Sequence, residues 1–362
     1  MSIFIFIIVI VALIVVHELG HFIVAKLSGM RVDEFGLGYP PRAATIAKIG
    51  ETSYTLNWLP FGGFVKIYGE DGGGGDPRAF SARPRFLQAL VLIAGVTMNL
   101  LFAYVLITGA LVAGTPRALS ENDLANARNM ELMVANVISG TPAAHAGLLV
   151  GDSIIEAKDA RGVWHATDPV SFAKFIAASA GGVVTLNVER AGSEQNIIAK
   201  PTEGVVPSDP SRYALGVEVA TVGIVPLSFG AAITEGASLT WGATLLTAEG
   251  LWHFFYGIFT FSANLSQVSG PIGIAGVVGN ASAQGIGDLF SIMAIISINL
   301  ALINLLPIPA LDGGRLLFVI IEGVIRRPIK ANIARAFNTV GFAFLILLMV
   351  VVTAHDIFKI IG

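Results

Sequence analysis

A chain of 362 residues with 54% hydrophobic and only 13% charged side chains lies outside the usage of soluble globular proteins and reads as a membrane protein. Its net charge of −3, from 22 basic and 25 acidic residues, offers nucleic acid no electrostatic footprint. With no cysteine, disulfides, thiolate metal sites and cysteine nucleophiles are excluded, so any metal must be held by His, Asp or Glu.

A helix crossing roughly 30 Å of hydrocarbon needs about 20 apolar residues. Four stretches qualify: residues 2 to about 25, 86 to about 113, about 289 to 306 and about 336 to 354. The first has no basic residue ahead of it and reads as a retained span rather than a cleaved signal peptide. Lys26, Arg31, Arg42, Lys48, Lys66 and Arg78 follow it, and Arg326, Arg327 and Lys330 lie between spans three and four. Basic loops stay cytoplasmic, which places the long segment from 114 to about 287 outside.

Inside the first span stands His17-Glu18-Leu19-Gly20-His21. Histidines four apart share one helix face and can reach one zinc, with Glu18 beside them to take a proton from a water. Ionisable groups within a span are costly, so their presence there points to function. Residues 32–68 then read as a small β-structure too apolar for an ordinary cytoplasmic loop, one whose edge either pairs with an extended substrate or only anchors the loop. Gly72–Gly75 reads as a flexible tether.

From Glu131 outward, the segment alternates apolar runs with turn signals: strand, short helix, strand, helix and a closing hairpin around Ala191-Gly192. The run TPAAHAGLLVGDSIIEA, with a later VTLNVER, resembles a PDZ domain over roughly residues 128–202. Such a domain either binds a peptide terminus by strand addition or blocks access sterically. Residues 234–261 read as an amphipathic helix against the outer leaflet. A catalytic zinc takes three protein ligands and keeps one position open. Asp312, at the end of Asn304-Leu305-Leu306-Pro307-Ile308-Pro309-Ala310-Leu311-Asp312-Gly313-Gly314, is the candidate third ligand; alone, it would equally read as a helix cap.

HELGH in span one, NLLPIPALDGG at span three and the intervening PDZ-like segment resemble the site-2 protease family of intramembrane zinc metalloproteases, closest to the bacterial regulator of sigma-E protease branch. The resemblance implies zinc on His17, His21 and Asp312, Glu18 as catalytic base, and substrate contacts from Asn304, Pro307 and the β-structure with Gly36 and Gly38. It also implies substrates that are single-pass transmembrane proteins, anti-sigma factors or remnant signal peptides, already shortened on their outer side. The membrane would be the bacterial inner membrane, with the PDZ-like domain in the periplasm. The expected fold is a polytopic α-helical membrane protein of about four transmembrane helices with a membrane-associated β-loop and an extracytoplasmic PDZ-like α/β domain. Its expected parts are residues 1–113 with the HExxH motif, 114–203 PDZ-like, 204–287 a linker with the amphipathic helix, and 288–362 with the LDG motif. A non-catalytic PDZ adaptor with a structural zinc is the alternative, and the intact Glu18 stands against it.

Overall fold

The computed structural model describes residues 2–70, 76–120, 123–124, 127–165, 168–190, 192–206, 209–260, 270–327, 329 and 331–361. Gly72–Gly75, Ala191 and Lys330 therefore lie outside the described residues. Contacts divide the chain into two units, residues 1–113 with 228–362 and residues 114–227.

Helix α1 (Ser2–Leu27) is rich in Ile and Val, which favour strands in water. In hydrocarbon only a helix satisfies each backbone N–H and C=O within the segment. Strands β1 (Val32–Ile49) and β2 (Thr52–Ile67) pair antiparallel with repeated register shifts. Phe35 faces both Tyr54 and Val65, and Gly36 faces both Thr55 and Phe64, so the first half of β1 lies between the two halves of β2. The base of this sheet is anchored: Val32 and Ile67 are buried in one cluster with Ala25, Met30, Phe80, Val91 and Leu92. Ile46, Ile49 and Trp58 of the sheet are exposed. Helix α2 (Arg85–Ala113) returns along α1 so closely that a methyl on Gly20 would strike the Ala94 carbonyl.

The second unit is a seven-stranded sheet with two short helices. Its elements are β3 (Pro116–Ala118), β4 (Arg128–Val137), α3 (Pro142–His145), β5 (Ser153–Asp159), β6 (Gly162–Trp164), α4 (Pro169–Ala178), β7 (Val184–Arg190), β8 (Ser193–Ala199) and β9 (Val217–Ile224). The order is β3-β9-β4-β5-β7-β8, with β6 on β5. Asp168 caps α4 by accepting from the Val170 and Ser171 amides, with Pro169 in the first turn. Alternate residues Leu132 and Val134, Val184, Leu186 and Val188 turn inward onto Phe172 and Ile176 of α4. The sequence pattern places residues 217–224 in a linker, whereas they form β9 beside β4. The alternation Val217, Val219, Thr221 supplies the inward face, and a long loop after β8 hides the connection.

Back in the first unit, α5 (Phe229–Phe259) docks its first half on the bundle. Tyr104 donates to the Ile233 carbonyl at 3.2 Å, and Ala243 packs on Ala103 and Leu106. Its other face leaves Trp241, Leu246 and Trp252 exposed. Helix α6 (Pro271–Gln284) is a short piece whose Ile274 and Val278 pack on Val9 and Leu13 of α1. The amides of Gly270 and Gly273 at its start donate to Asp356 at 3.1 and 2.9 Å, a cap supplied from a distant helix. Helices α7 (Ile286–Leu305), α8 (Asp312–Ile325) and α9 (Ala331–Ile361) complete the unit. Among the described residues four helices are long and apolar enough to cross a membrane: Ile3–Leu27, Arg85–Ala113, Ile286–Leu305 and Ala336–Phe358.

In the second unit, Asp152 is buried and takes a two-pronged pair from Arg190 at 2.7 Å on each oxygen, plus the Leu149 amide at 2.9 Å. Burial would raise its carboxyl, but the Arg190 guanidinium and the Leu149 amide outweigh burial and hold it below the usual range. This stabilisation is present above the ordinary carboxylate range and is lost as pH falls through the depressed folded value. Arg190→Met leaves the buried carboxylate without its counter-charge, with the Leu149 amide still donating to it. The expected cost is about 3 kcal/mol, read by hydrogen exchange in the full chain as roughly a hundredfold loss of protection in β5 and β7. Unchanged protection would refute it.

Candidate metal centre

Two histidines of α1 and an aspartate 295 positions beyond the first of them meet between α1, α2 and α8. The i, i+4 spacing places His17 and His21 on one face of α1, both over nine-tenths buried. Their rings stand edge to face, with centroids 4.8 Å apart. Asp312 begins α8, whose cap position is Leu311, so its carboxylate is turned away from capping and toward the histidines. The His17 Nε2 lies 2.9 Å and the His21 Nε2 3.1 Å from Asp312 Oδ2, and the two nitrogens are 3.1 Å from each other. Ligands on a tetrahedral zinc with bonds near 2.0–2.1 Å stand about 3.3 Å apart, so this triangle needs only small adjustments to hold one ion.

The backbone explains how such a site forms. Pro307 and Pro309 follow the end of α7, and the chain turns through Ala310 at φ 72. Gly313 and Gly314 let the first turn of α8 press on the carbonyls of Leu305, Leu306 and Ile308, where any Cβ would collide. On the opposite side Gly95 of α2 lies flush against the ligands. A Cβ there would sit 2.5 Å from His21 Nε2 and 2.7 Å from His17 Cε1. His21 uses its second ring nitrogen to donate to the Val91 carbonyl at 2.8 Å, which leaves Nε2 as the lone-pair side. His17 Nδ1 meets the side-chain amide of Asn99 at 3.2 Å.

Glu18 projects into a cavity of about 280 Å³ that His21 and Asp312 also line. The wall opposite is the last part of β2: the Val65 amide reaches the Glu18 carboxyl, and Gly63 stands close to its Cγ. Tyr39 lines the same cavity, as do Glu70 and Arg315, which form an ion pair. Two imidazole nitrogens, one carboxylate oxygen and an adjacent free carboxyl make the donor set of a hydrolytic zinc centre.

The structure thus brings His17, His21, Asp312 and Glu18 together. Asn304, half-buried near the end of α7, Pro307, Gly36 and Gly38 are not among the residues that line the cavity. Gly36 is required by the Phe64 ring packed over it, and Gly38 by its φ of +78 beside the Leu59 carbonyl. Gly95, Asn99, Tyr39, Glu70 and Arg315 escape the sequence reading. An Asn inside an apolar run was the one available signal among them.

The chain matches the model of peptidase family M50 over residues 5–348. A Clostridium perfringens protein bearing the name of a zinc metalloprotease is 36% identical over 96% of this chain and 95% of its own length. Similarly named proteins of a Nostoc species and of Fusobacterium nucleatum are each 32% identical over 96% of this chain, and over 93% and 96% of their own lengths.

Gly95→Ala is expected to empty the centre by pushing both imidazoles aside, with zinc per chain falling well below one in the purified protein. Gly250→Ala, on α5 with open space around it, is expected to keep the wild-type zinc content. Elemental analysis after chelator dialysis checks both, and full zinc in Gly95→Ala would sink the argument.

Proposed function

The chain belongs to peptidase family M50 and is a zinc metalloprotease, and from this premise we propose that it cuts single-pass membrane proteins within their apolar spans. His17, His21 and Asp312 would hold the zinc, which when bound would supply Lewis acidity to a water and to the scissile carbonyl. Glu18, as the base, would accept a proton from the attacking water and pass it to the leaving amine. The observation that carries the reading is the position of Glu18: in a helix long and apolar enough to span a membrane, beside the ligand triangle, facing a cavity instead of lipid.

A peptide bond in a transmembrane helix is shielded by its own hydrogen bonds, so the substrate must be extended before attack. The Gly63–Ile67 part of β2 pairs with β1 on one side and borders the cavity on the other, which supports strand addition of the unwound substrate there. The exposed Ile46, Ile49 and Trp58 support contact of the β1–β2 sheet with the lipid interface.

The unit of residues 114–227 acts outside the cytoplasm as the screen for substrates already truncated by another protease. Residues 217–219 of β9 pair with β4 alone and border a groove of about 270 Å³ shared with Phe172 and Ile176 of α4. That supports capture of an extended peptide end. Anti-sigma factors and remnant signal peptides are the substrate class this arrangement suits, and the bacterial inner membrane is the place for it.

Co-expression of a tagged single-pass protein, truncated on its outer side, with wild type or Glu18→Gln tests the reading. Wild type is expected to yield a fragment cut inside the apolar span by mass. Glu18→Gln is expected to keep zinc and lose cleavage by about 10²–10⁴-fold. A cut confined to residues outside the span would overturn the intramembrane assignment.

A further inference from the structure

We propose that Asn99 is a positioning residue for the zinc centre, one that fixes the tautomer and ring orientation of His17. Asn99 is completely buried on α2, one helical turn beyond Gly95, so the same face that makes room for the ligands also carries this amide. On the reading above, His17 ligates zinc through Nε2, and a neutral imidazole that does so carries its proton on Nδ1. That proton needs an acceptor, since a buried N–H without one forfeits a hydrogen bond in low dielectric. For His21 the acceptor is a backbone carbonyl; for His17 the group in contact is the Asn99 side chain, at 3.2 Å.

The two ends of an Asn amide differ little in shape, and their assignment follows the hydrogen bonds they make. Here Nδ2 faces the ring, while Oδ1 is buried and makes no hydrogen bond among the described residues. A half-turn about Cβ–Cγ presents Oδ1 to the Nδ1 proton and breaks no bond that Oδ1 holds. The backbone of Asn99 is itself held: the fully buried Ser297 of α7 donates its hydroxyl to the Asn99 carbonyl at 2.8 Å. Helix α7 therefore steadies the turn of α2 that presents the amide to α1.

A hydrocarbon side chain of similar size would fill the space and supply no acceptor.

The test compares zinc affinity of purified full-length wild type, Asn99→Leu and Asn99→Asp by competition with a chromophoric chelator. It also reads the His17 tautomer from side-chain nitrogen-15 shifts in the zinc-loaded protein. Asn99→Leu is expected to bind zinc about 10–100-fold more weakly, and Asn99→Asp, which restores an acceptor, to stay within about threefold of wild type. A residue that merely fills space predicts the reverse order, because leucine suits a buried site and a carboxylate does not. Leucine equal to wild type, or aspartate weaker than leucine, overturns the proposal. Should leucine prevent folding, Asn99→Ala against Asn99→Asp gives the same ordering. Wild type that binds no zinc overturns the zinc assignment itself; wild type that binds while leucine is neutral overturns only the role of Asn99.

Discussion

Inside an apolar bundle a polar side chain is tolerable only when it faces another polar group, and here that constraint draws α1, α2 and α8 to one point. His17, His21 and Asp312 offer ligand atoms within 4.8 Å of one another. For two helices to close around such a point, the surfaces beside it must be nearly bare. Gly20 gives that bareness on α1 and Gly95 on α2, with Gly313 and Gly314 doing the same at the start of α8. Small residues serve here as they do in other membrane helix contacts, bringing backbones close where no hydrophobic force separates protein from lipid. The rest of the first unit follows: the α2–α7 core of Ala103, Leu106, Ala294 and Ile298 holds the far side of α2 in place.

Legibility in the sequence tracks how local each constraint is. The HExxH pair is set by helix periodicity alone, and the four spans by length and apolarity, so both stand out from residue order. Asp312 is separated from His17 by 295 positions, and only the Pro and Gly residues around it, together with a family resemblance, single it out. Gly95 is silent in one dimension because its meaning is a contact across helices, and Asn99 shows there only as a polar residue within an apolar run. The β-structure is visible as a class, but its folded-back register is not. Nothing in residues 32–67 announces that Gly36 faces two partners at once.

The second unit shows the same division. Its strand and helix succession follows from alternation and turn residues, while the place of β9 depends on a pairing that skips over β5 to β8. Met130–Val134 lies in an interior strand flanked by β9 and β5, whereas the groove lies beside Gly216 and the start of β9. The glycine that a tight approach requires, at φ +81, is thus carried by the far end of the unit.

The cap on α6 bears on the order of assembly. Gly270 and Asp356 are 86 positions apart, and the carboxylate arrives with the last long helix. Until α9 is in place, the opening turn of α6 has no partner for the amides of Gly270 and Gly273, although Ile274 and Val278 are already the packing surface for Val9 and Leu13. The hydrocarbon wall behind the HExxH helix therefore depends on a carboxylate carried by α9, which holds the start of α6 while the rest of α6 packs on α1.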